Sequence, residues 1–565
     1  MNDQAETLKV EILETGRGKT VKVNGRFLYS KYDPLKAPEK AAEEIRLKEK
    51  CLYFIPSPLL GHGINKLLKR LPESSAVLTV EISQEIMYVC SSGLEMYIEK
   101  NLPMNQRHFY AVRLSDSGSL KKVIKEIGIW RFRKCEMLIL TGGININKDI
   151  YTGLYNSAVS LLSAYWKNRI ALNRFGRHWI KHIYSNLINL SQSSSGRINF
   201  LYDSLKLTDI TGSVTEKTVI IAGAGESLEN SMDIIKKHRN KLIVAASDTA
   251  LSAFLDNSII PDIVFVLETQ AWNLLDFHGF GNIPVTIIAD ISAYPPSLTA
   301  TEGRCYIFSS DFADLDFLRK LKKYNIKPLS IPPLGSVGIA AIELILKLTD
   351  KDTPVLLTGL DFAYVPGKSH ARGTSIHKWQ LNNLNRFNSY PLFNEYIRRS
   401  SITLNTPGRI KLKSDPVLLG YADILKDRYS DSENSKRMYV ISPGGADTGL
   451  NVIEPEKAGE IINNFYNRKK TSEKKLNIVN NTSETVSNVQ IFLNDRAAAY
   501  RKIISTWEKY IRDTVSAEET AETLRNSDEI FCDFPDTPPL PNTENTFLVR
   551  AVKRTRELLR LIEKN

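Results

Sequence analysis

The chain has 565 residues, 42% hydrophobic, 24% charged and 9% aromatic, which excludes a wholly disordered, collagen-like or low-complexity protein and leaves room for three to four domains at about 150 residues each. Seventy-five Lys and Arg against 63 Asp and Glu leave a net charge of +12, too thin an excess over this length to demand nucleic acid and equally suited to a phosphorylated ligand or an acidic partner. Five scattered cysteines without a C-x-x-C pair exclude a disulfide framework or zinc site and read as reduced, buried thiols, while the absence of a signal-peptide pattern and of a run of roughly 18 apolar residues predicts a soluble, cytoplasmic protein.

Residues 8–29 alternate like strands around turns at Gly16/Gly18 and Gly25, closing on SKYDP (Ser30 to Pro34) before a helical run of Ala, Glu and Lys. A strand-then-helix rhythm follows: CLYFIPSP from Cys51, a glycine turn opening GHGINKLLKRL, AVLTVEI (Ala76 to Ile82) and MLILTGG (Met137 to Gly143). Short apolar runs separated by helices imply a parallel sheet, so residues 1–147 read as an N-terminal α/β domain with a β-hairpin. From 148 to 196 the apolar spacing through Leu161, Tyr165, Ile170, Trp179, Ile183 and Leu187 is helical, predicting a connecting helix or helix pair that ends in the linker SQSSSG.

Six further strands are expected in KTVIIAG, LIVAAS, IVFVLE, VTIIAD, CYIFSS and PVLLTG, spread from Lys217 to Gly359. They predict a doubly wound central domain over residues 197–410, with any ligand beyond the carboxyl ends of the strands. Residues 411–565 read as mainly helical: SDSENSKR (Ser430 to Arg437) and RKKTSEKK (Arg468 to Lys475) as solvated loops, Val486 to Arg525 and Leu548 to Lys564 as helices, DFPDTPPLP as the break between them.

The strand ends carry the candidate chemistry. Gly223-Ala-Gly225-Glu-Ser227 lies between a strand and a helix, where glycines admit backbone amides to a phosphate and the helix dipole favours an anion; a plain tight turn capped by Ser227 accounts for the same residues. Ser247-Asp248-Thr249 ends the next strand and faces the same cleft as the glycine turn, although for Ser247 or Asp248 taken singly a helix cap is the better account. Glu268-Thr269-Gln270 ends the third; Glu268 suits a sugar hydroxyl, or merely caps, and without an Asp-x-Asp pair a metal is disfavoured. Gly335 and Ser336 open an apolar helix whose first turn is another anion site, the rest being core. The densest segment follows the sixth strand: Thr358, Asp361, Tyr364, Lys368, Ser369, His370 and Arg372 within one glycine-bearing loop. His370 has the intrinsic pKa of a general base, whereas a lone histidine is more often structural; its basic neighbours favour function. His377 reads as helix surface, the basic residues of the connecting helix as solvated, and Gly61-His62-Gly63 as a weak nucleotide-turn signal.

SKYDP, GAGESL, SDTALSAFLDNSIIPDIVFVLE and GLDFAYVPGKSHARGT, in this order, resemble the motility-associated-factor (Maf-type) flagellin glycosyltransferases, whose central domain is 6-hydroxymethylpterin pyrophosphokinase-like. The resemblance covers roughly residues 1–410. It implies a Rossmann-like, sialyltransferase-like centre that moves a nonulosonic acid, pseudaminic or legionaminic in type, from a CMP-activated donor to Ser or Thr of flagellin, with inversion and with no obligatory metal or cofactor. Carried over by position, Gly223, Gly225 and Ser227 would meet the donor phosphate or cytidine, Asp248 and Thr249 the nucleotide, and Gly335 and Ser336 its phosphate. His370 as the base, Tyr364 near the leaving phosphate and Asp361 would be the catalytic residues, and Lys368, Ser369 and Arg372 would bind the donor. Glu268 stands where an aspartate is common. The resemblance leaves two rival readings, a pterin pyrophosphokinase using ATP and magnesium and a non-catalytic flagellin-binding assembly factor. The expected partners are flagellin and the CMP-sugar, with neither nucleic acid nor a membrane span.

Overall fold

The computed structural model describes residues 8–114, 116–193, 196–213, 215–312, 315–387, 402–404, 412–469 and 483–564. The chain forms two compact units, Met1–Leu172 with Pro535–Pro539, and Asn173–Phe534 with Leu540–Asn565.

In the first unit β1 (Val10–Thr15), β2 (Gly18–Val23) and β3 (Arg26–Phe27) form an antiparallel sheet in which Val10 opposes Val23. α1 (Lys36–Glu44) leads to β4 (Cys51–Pro56), α2 (Ile64–Leu68), β5 (Ala76–Glu81), α3 (Gln84–Glu95), β6 (Phe109–Arg113), α4 (Ser117–Ile127) and β7 (Lys134–Met137). The four strands are parallel in the order β6-β5-β4-β7. β4 and β5 are buried at every position, as continuous apolar runs must be when both faces of a parallel sheet are covered. The strand expected at Met137–Gly143 is shifted toward the N-terminus: beyond Met137, Thr141 caps a short 3-10 turn, Gly142–Ile146, and binds the Ser57 carbonyl. β6 was not anticipated, because five residues between charged flanks carry little periodicity. The Gly61-His62-Gly63 turn is a packing device. His62 Nε2 lies 2.7 Å from the Lys19 carbonyl, its ring stacks on Tyr29, and a Cβ at Gly63 would lie 2.6 Å from the Pro38 carbonyl oxygen. α5 (Lys148–Gln192) is one unbroken helix, not a pair.

The second unit contains β8 (Ile198–Phe200), α6 (Leu207–Thr211), β9 (Thr218–Ala222), α7 (Leu228–Lys237), β10 (Leu242–Ser247), α8 (Leu251–Asp256), β11 (Ile263–Val266), β12 (Thr286–Asp290), β13 (Cys305–Ser310), α9 (Asp316–Lys323), β14 (Ser330–Ile331), α10 (Val337–Leu348), β15 (Val355–Thr358) and α11 (Ser375–Asn382). All six expected strands are present. Among the described residues the sheet has ten strands and every pairing is parallel: β14-β13-β12-β11-β10-β9-β15, then Met438–Ile441 and Asn451–Ile453, with β8 beside β13. This is the doubly wound, Rossmann-like α/β layout, and α10, apolar on nearly all sides, runs through its core.

The sheet does not stop at residue 410. The last two strands extend it beyond β15, a continuation that runs of only four and three residues did not announce. Ser430–Arg437, expected as a solvated loop, includes a 3-10 turn in which buried Arg437 donates to the Asp350 and Leu346 carbonyls. Of the expected loop Arg468–Lys475, Arg468 and Lys469 close the helix Pro455–Lys469 and 470–475 lie outside the described residues. The helices Ser483–Ile511, Ala517–Leu524 and Asn545–Glu563 form the expected helical C-terminus. They belong to the second unit, within which Asp528 accepts the Asp316 and Phe317 amides at the start of α9, and Tyr500, beside the buried Arg496–Glu529 pair, shares a hydrogen bond with Tyr184. All five cysteines are buried free thiols. Among the described residues no helix is long and apolar enough to cross a membrane.

Candidate functional site

The chain proceeds from β9 through β10 to β13 on one side and returns to β15 on the other, so β9 and β15 flank the switch point where a doubly wound sheet opens a crevice at its carboxyl edge. A cavity of about 340 Å³ lies there, lined by Gly223–Gly225, Ser247–Thr249, Ser336–Gly338, Gly359–Tyr364, Ser369, His370, Leu418 and Tyr421. It brings together Gly223, Gly225, Asp248, Thr249, Ser336, Asp361, Tyr364, Ser369 and His370 of the expected site. Ser227, Glu268, Gly335, Lys368 and Arg372 are not in its wall.

Two amides of the glycine turn, although it lines the cavity, are engaged within the fold. The Gly223 amide donates to the Thr358 carbonyl and the Gly225 amide to that of Gly359. The Ser227 amide donates to Asp361 Oδ2, 2.8 Å away, and the Ser227 hydroxyl accepts the Gly359 amide, also at 2.8 Å. Ser227 is buried, lines no part of the cavity and makes no side-chain capping bond at α7. Asp361 is a buried brace between the β9 and β15 turns.

The loop cations also point elsewhere. Lys368 Nζ sits 2.8 Å from Glu229 and 3.5 Å from Glu226, and the Arg372 side chain is largely exposed beside Glu229. These carboxylates from the start of α7 neutralise the charge that the sequence offered to the phosphate. What lines the cavity besides is the first turn of α10 behind Ser336, whose side chain makes no capping bond, together with Ser247. Ser247 is buried and its Oγ has no hydrogen-bond partner among the described residues. Buried hydroxyls are seldom left unpaired, so Ser247, which the sequence offered as a cap, joins the candidate binding groups. Gly335 adopts a positive φ, 72°, where a Cβ would press on Tyr421; it shapes the turn into α10.

His370 Nδ1 is 2.8 Å from the Ser369 hydroxyl. Its ring keeps some solvent exposure, yet burial, aided by the charge of His377, pushes its pKa down to about 4, and it is neutral at pH 7. Asp248 behaves oppositely. Burial, then the charges of Asp276 and Glu268, push it up to about 7, against the bonds it accepts from Thr249 and Asn273. Its Oδ1 takes the Thr249 amide at 2.8 Å and its Oδ2 the Asn273 side chain at 2.7 Å; Ser297 in turn donates to Asn273. Tyr364 is buried and its strand segment pairs with Lys413.

A second cavity, about 490 Å³, is lined by Asp248, Thr249, Glu268, Gln270, Trp272, Asn273, Leu275, Asp276, Val337, Ser375, Ile376 and Trp379. Glu268 belongs here, not with the glycine turns. Trp272, Asn273, Asp276 and Trp379 had no sequence signal, because no motif surrounds them and only the fold gathers them around Asp248.

Residues 193–367 match the family described as 6-hydroxymethylpterin diphosphokinase MptE-like. An uncharacterized protein of Treponema pallidum is 26% identical over 572 residues, 99% of this chain and 96% of that one. A 6-hydroxymethyl-7,8-dihydropterin pyrophosphokinase of Methanocaldococcus jannaschii is 34% identical over 113 residues, which are 18% of this chain and 45% of that protein. A Maf glycosyltransferase of Magnetospirillum magneticum has a similar structure, with a TM-score of 0.54 at 13% identity, covering 99% of this chain and 90% of its own. The chain is Maf-like in fold over its length, with an MptE-like domain at its centre.

Proposed function

We propose that a chain with this fold and this central domain is a glycosyltransferase that moves a nonulosonic acid from a CMP-activated donor to Ser or Thr hydroxyls of flagellin, in the cytoplasm and with inversion. The observation that carries the reading is the cavity between the β9 and β15 turns, in a chain that shares its fold over 99% of its length with a Maf glycosyltransferase.

In this reading the cavity holds the nucleotide end of the donor. The amides opening α10 and the hydroxyls of Ser247, Ser336 and Tyr364 meet the phosphate. Bond breaking at the anomeric carbon passes through an oxocarbenium-like state, and fixed dipoles aimed at the departing phosphate lower that barrier. His370, neutral at pH 7, offers a hydrogen bond to the donor sugar; a group near pH 4 is a weak proton acceptor for a neutral hydroxyl.

Isothermal titration with CMP tests the reading. CMP is expected to bind, and Ser247→Ala to weaken binding about tenfold, the ~1.4 kcal/mol of one hydrogen bond to a charged group. No affinity for CMP would overturn it. A second reading, transfer of pyrophosphate from ATP to a hydroxymethylpterin, draws on the MptE-like match; magnesium-dependent ATP turnover on that pterin, without CMP affinity, would favour it.

A further inference from the structure

We propose that the acceptor hydroxyl reaches the donor through the cavity walled by Trp272 and Trp379, and that the Asp248 carboxylate takes its proton. The proposal rests on the donor reading above and names the other substrate's place and the base.

Geometry carries it. Asp248, Thr249 and Val337 line both cavities, whereas His370 lines only the one at the glycine turns. In an inverting transfer the incoming oxygen and the departing phosphate lie on opposite faces of the anomeric carbon, so the group that receives the hydroxyl proton must stand where the two substrates meet. Asp248 does, and it is held there: one oxygen is fixed by the Thr249 amide, the other by Asn273, itself positioned by Ser297.

The second cavity suits a polypeptide, not a second nucleotide. The charged side chains in its wall are Asp248, Glu268 and Asp276, all acidic, with no Lys or Arg among them; a phosphate would be repelled. Apolar side chains share that wall, and of these Trp272, Trp379 and Leu275 are 74%, 55% and 50% exposed. Large apolar surface left in water around a polar floor marks an interaction site. The occupant that fits is an acceptor segment carrying Ser or Thr beside neutral or basic residues.

The step balances. A lone pair of the acceptor oxygen forms the bond to the anomeric carbon, the bond from that carbon to the phosphate oxygen breaks with its electron pair leaving on CMP, and the hydroxyl proton passes to Asp248. Burial and the charges of Asp276, on the segment Ala271–Phe277, and Glu268, beyond the end of β11, raise this carboxyl to about 7, where a base is effective at neutral pH.

The test measures transfer from a CMP-activated nonulosonate to unmodified flagellin by intact mass, with CMP titrations alongside. Asp248→Asn is expected to cut kcat at least about 100-fold, the range of general-base catalysis, while still binding CMP. Trp379→Ala is expected to raise the KM for flagellin about tenfold with little change in the KM for the donor. Wild-type kcat/KM is expected to rise with pH and level off above about 7. Wild-type turnover in Asp248→Asn, or an inflection near 4 that vanishes in His370→Ala, would overturn the base; an unchanged KM for flagellin would overturn the acceptor cavity. If the wild type fails to bind CMP, the donor reading falls, a distinct outcome that takes this one with it.

Discussion

Gly223 and Gly359 face each other across the ends of β9 and β15 so closely that a Cβ on either would collide with the carbonyl oxygen of the other. Gly359 also has a φ of 64°, a left-handed conformation open to glycine. The turn that resembles a nucleotide cradle is thus a crossing point of two parallel strands. Gly223→Ala is expected to destabilise the protein by about 1–3 kcal/mol, the cost of overpacking without room to relax, read as a lower urea midpoint. A variant of normal stability that only loses CMP affinity would return the glycine to a direct phosphate role.

The Lys368–Glu229 pair has a pH signature. Burial alone would raise the Glu229 carboxyl, but the hydrogen bond from Lys368, the Arg372 amide and the neighbouring positive charges outweigh it and hold the group below the ordinary range. A carboxyl lowered in the fold stabilises in its ionised form. That contribution is complete above the unfolded value near 4.3 and is lost as pH falls through the lower folded value. Lys368→Ala should therefore cost about 0.5–1 kcal/mol at pH 7, a modest figure because the pair is partly exposed. The difference in thermal midpoint from wild type should vanish toward pH 3.

Arg496 and Glu529 are buried together; Arg496 also donates to the Ser527 hydroxyl, and Glu529 also accepts from the Tyr500 hydroxyl. Removing one member leaves an uncompensated buried charge, a loss of about 3–5 kcal/mol. Arg496→Met should lower the unfolding free energy from urea titration by that amount. Replacing both partners with apolar residues of similar volume should recover much of it. Equal losses in the single and double variants would show that the pair acts only through packing.

Much of the central sheet was legible because of how it is buried. Parallel strands covered on both faces must be short apolar runs, and all six such runs from Thr218 to Thr358 are strands. The edge strand Asn451–Ile453 is largely exposed and lacks that constraint, and its neighbour Met438–Ile441 is only four residues with a half-exposed middle, so neither left a pattern. Likewise α5 read as helical from its spacing, but only the coordinates show it unbroken from Lys148 to Gln192.

The sequence by itself determined the order of elements and which strand ends carry polar residues, since both follow from hydrophobic periodicity and turn chemistry, which are local. Only the tertiary structure decided what those residues face. Lys368 turns to Glu229 instead of the cavity, Ser227 is spent on Gly359, and Asp248 meets Asn273, Asp276 and Glu268 at the boundary of two cavities. The basicity of Asp248 is the sum of desolvation and of charges brought from segments far along the chain, and no pattern within one segment contains that sum.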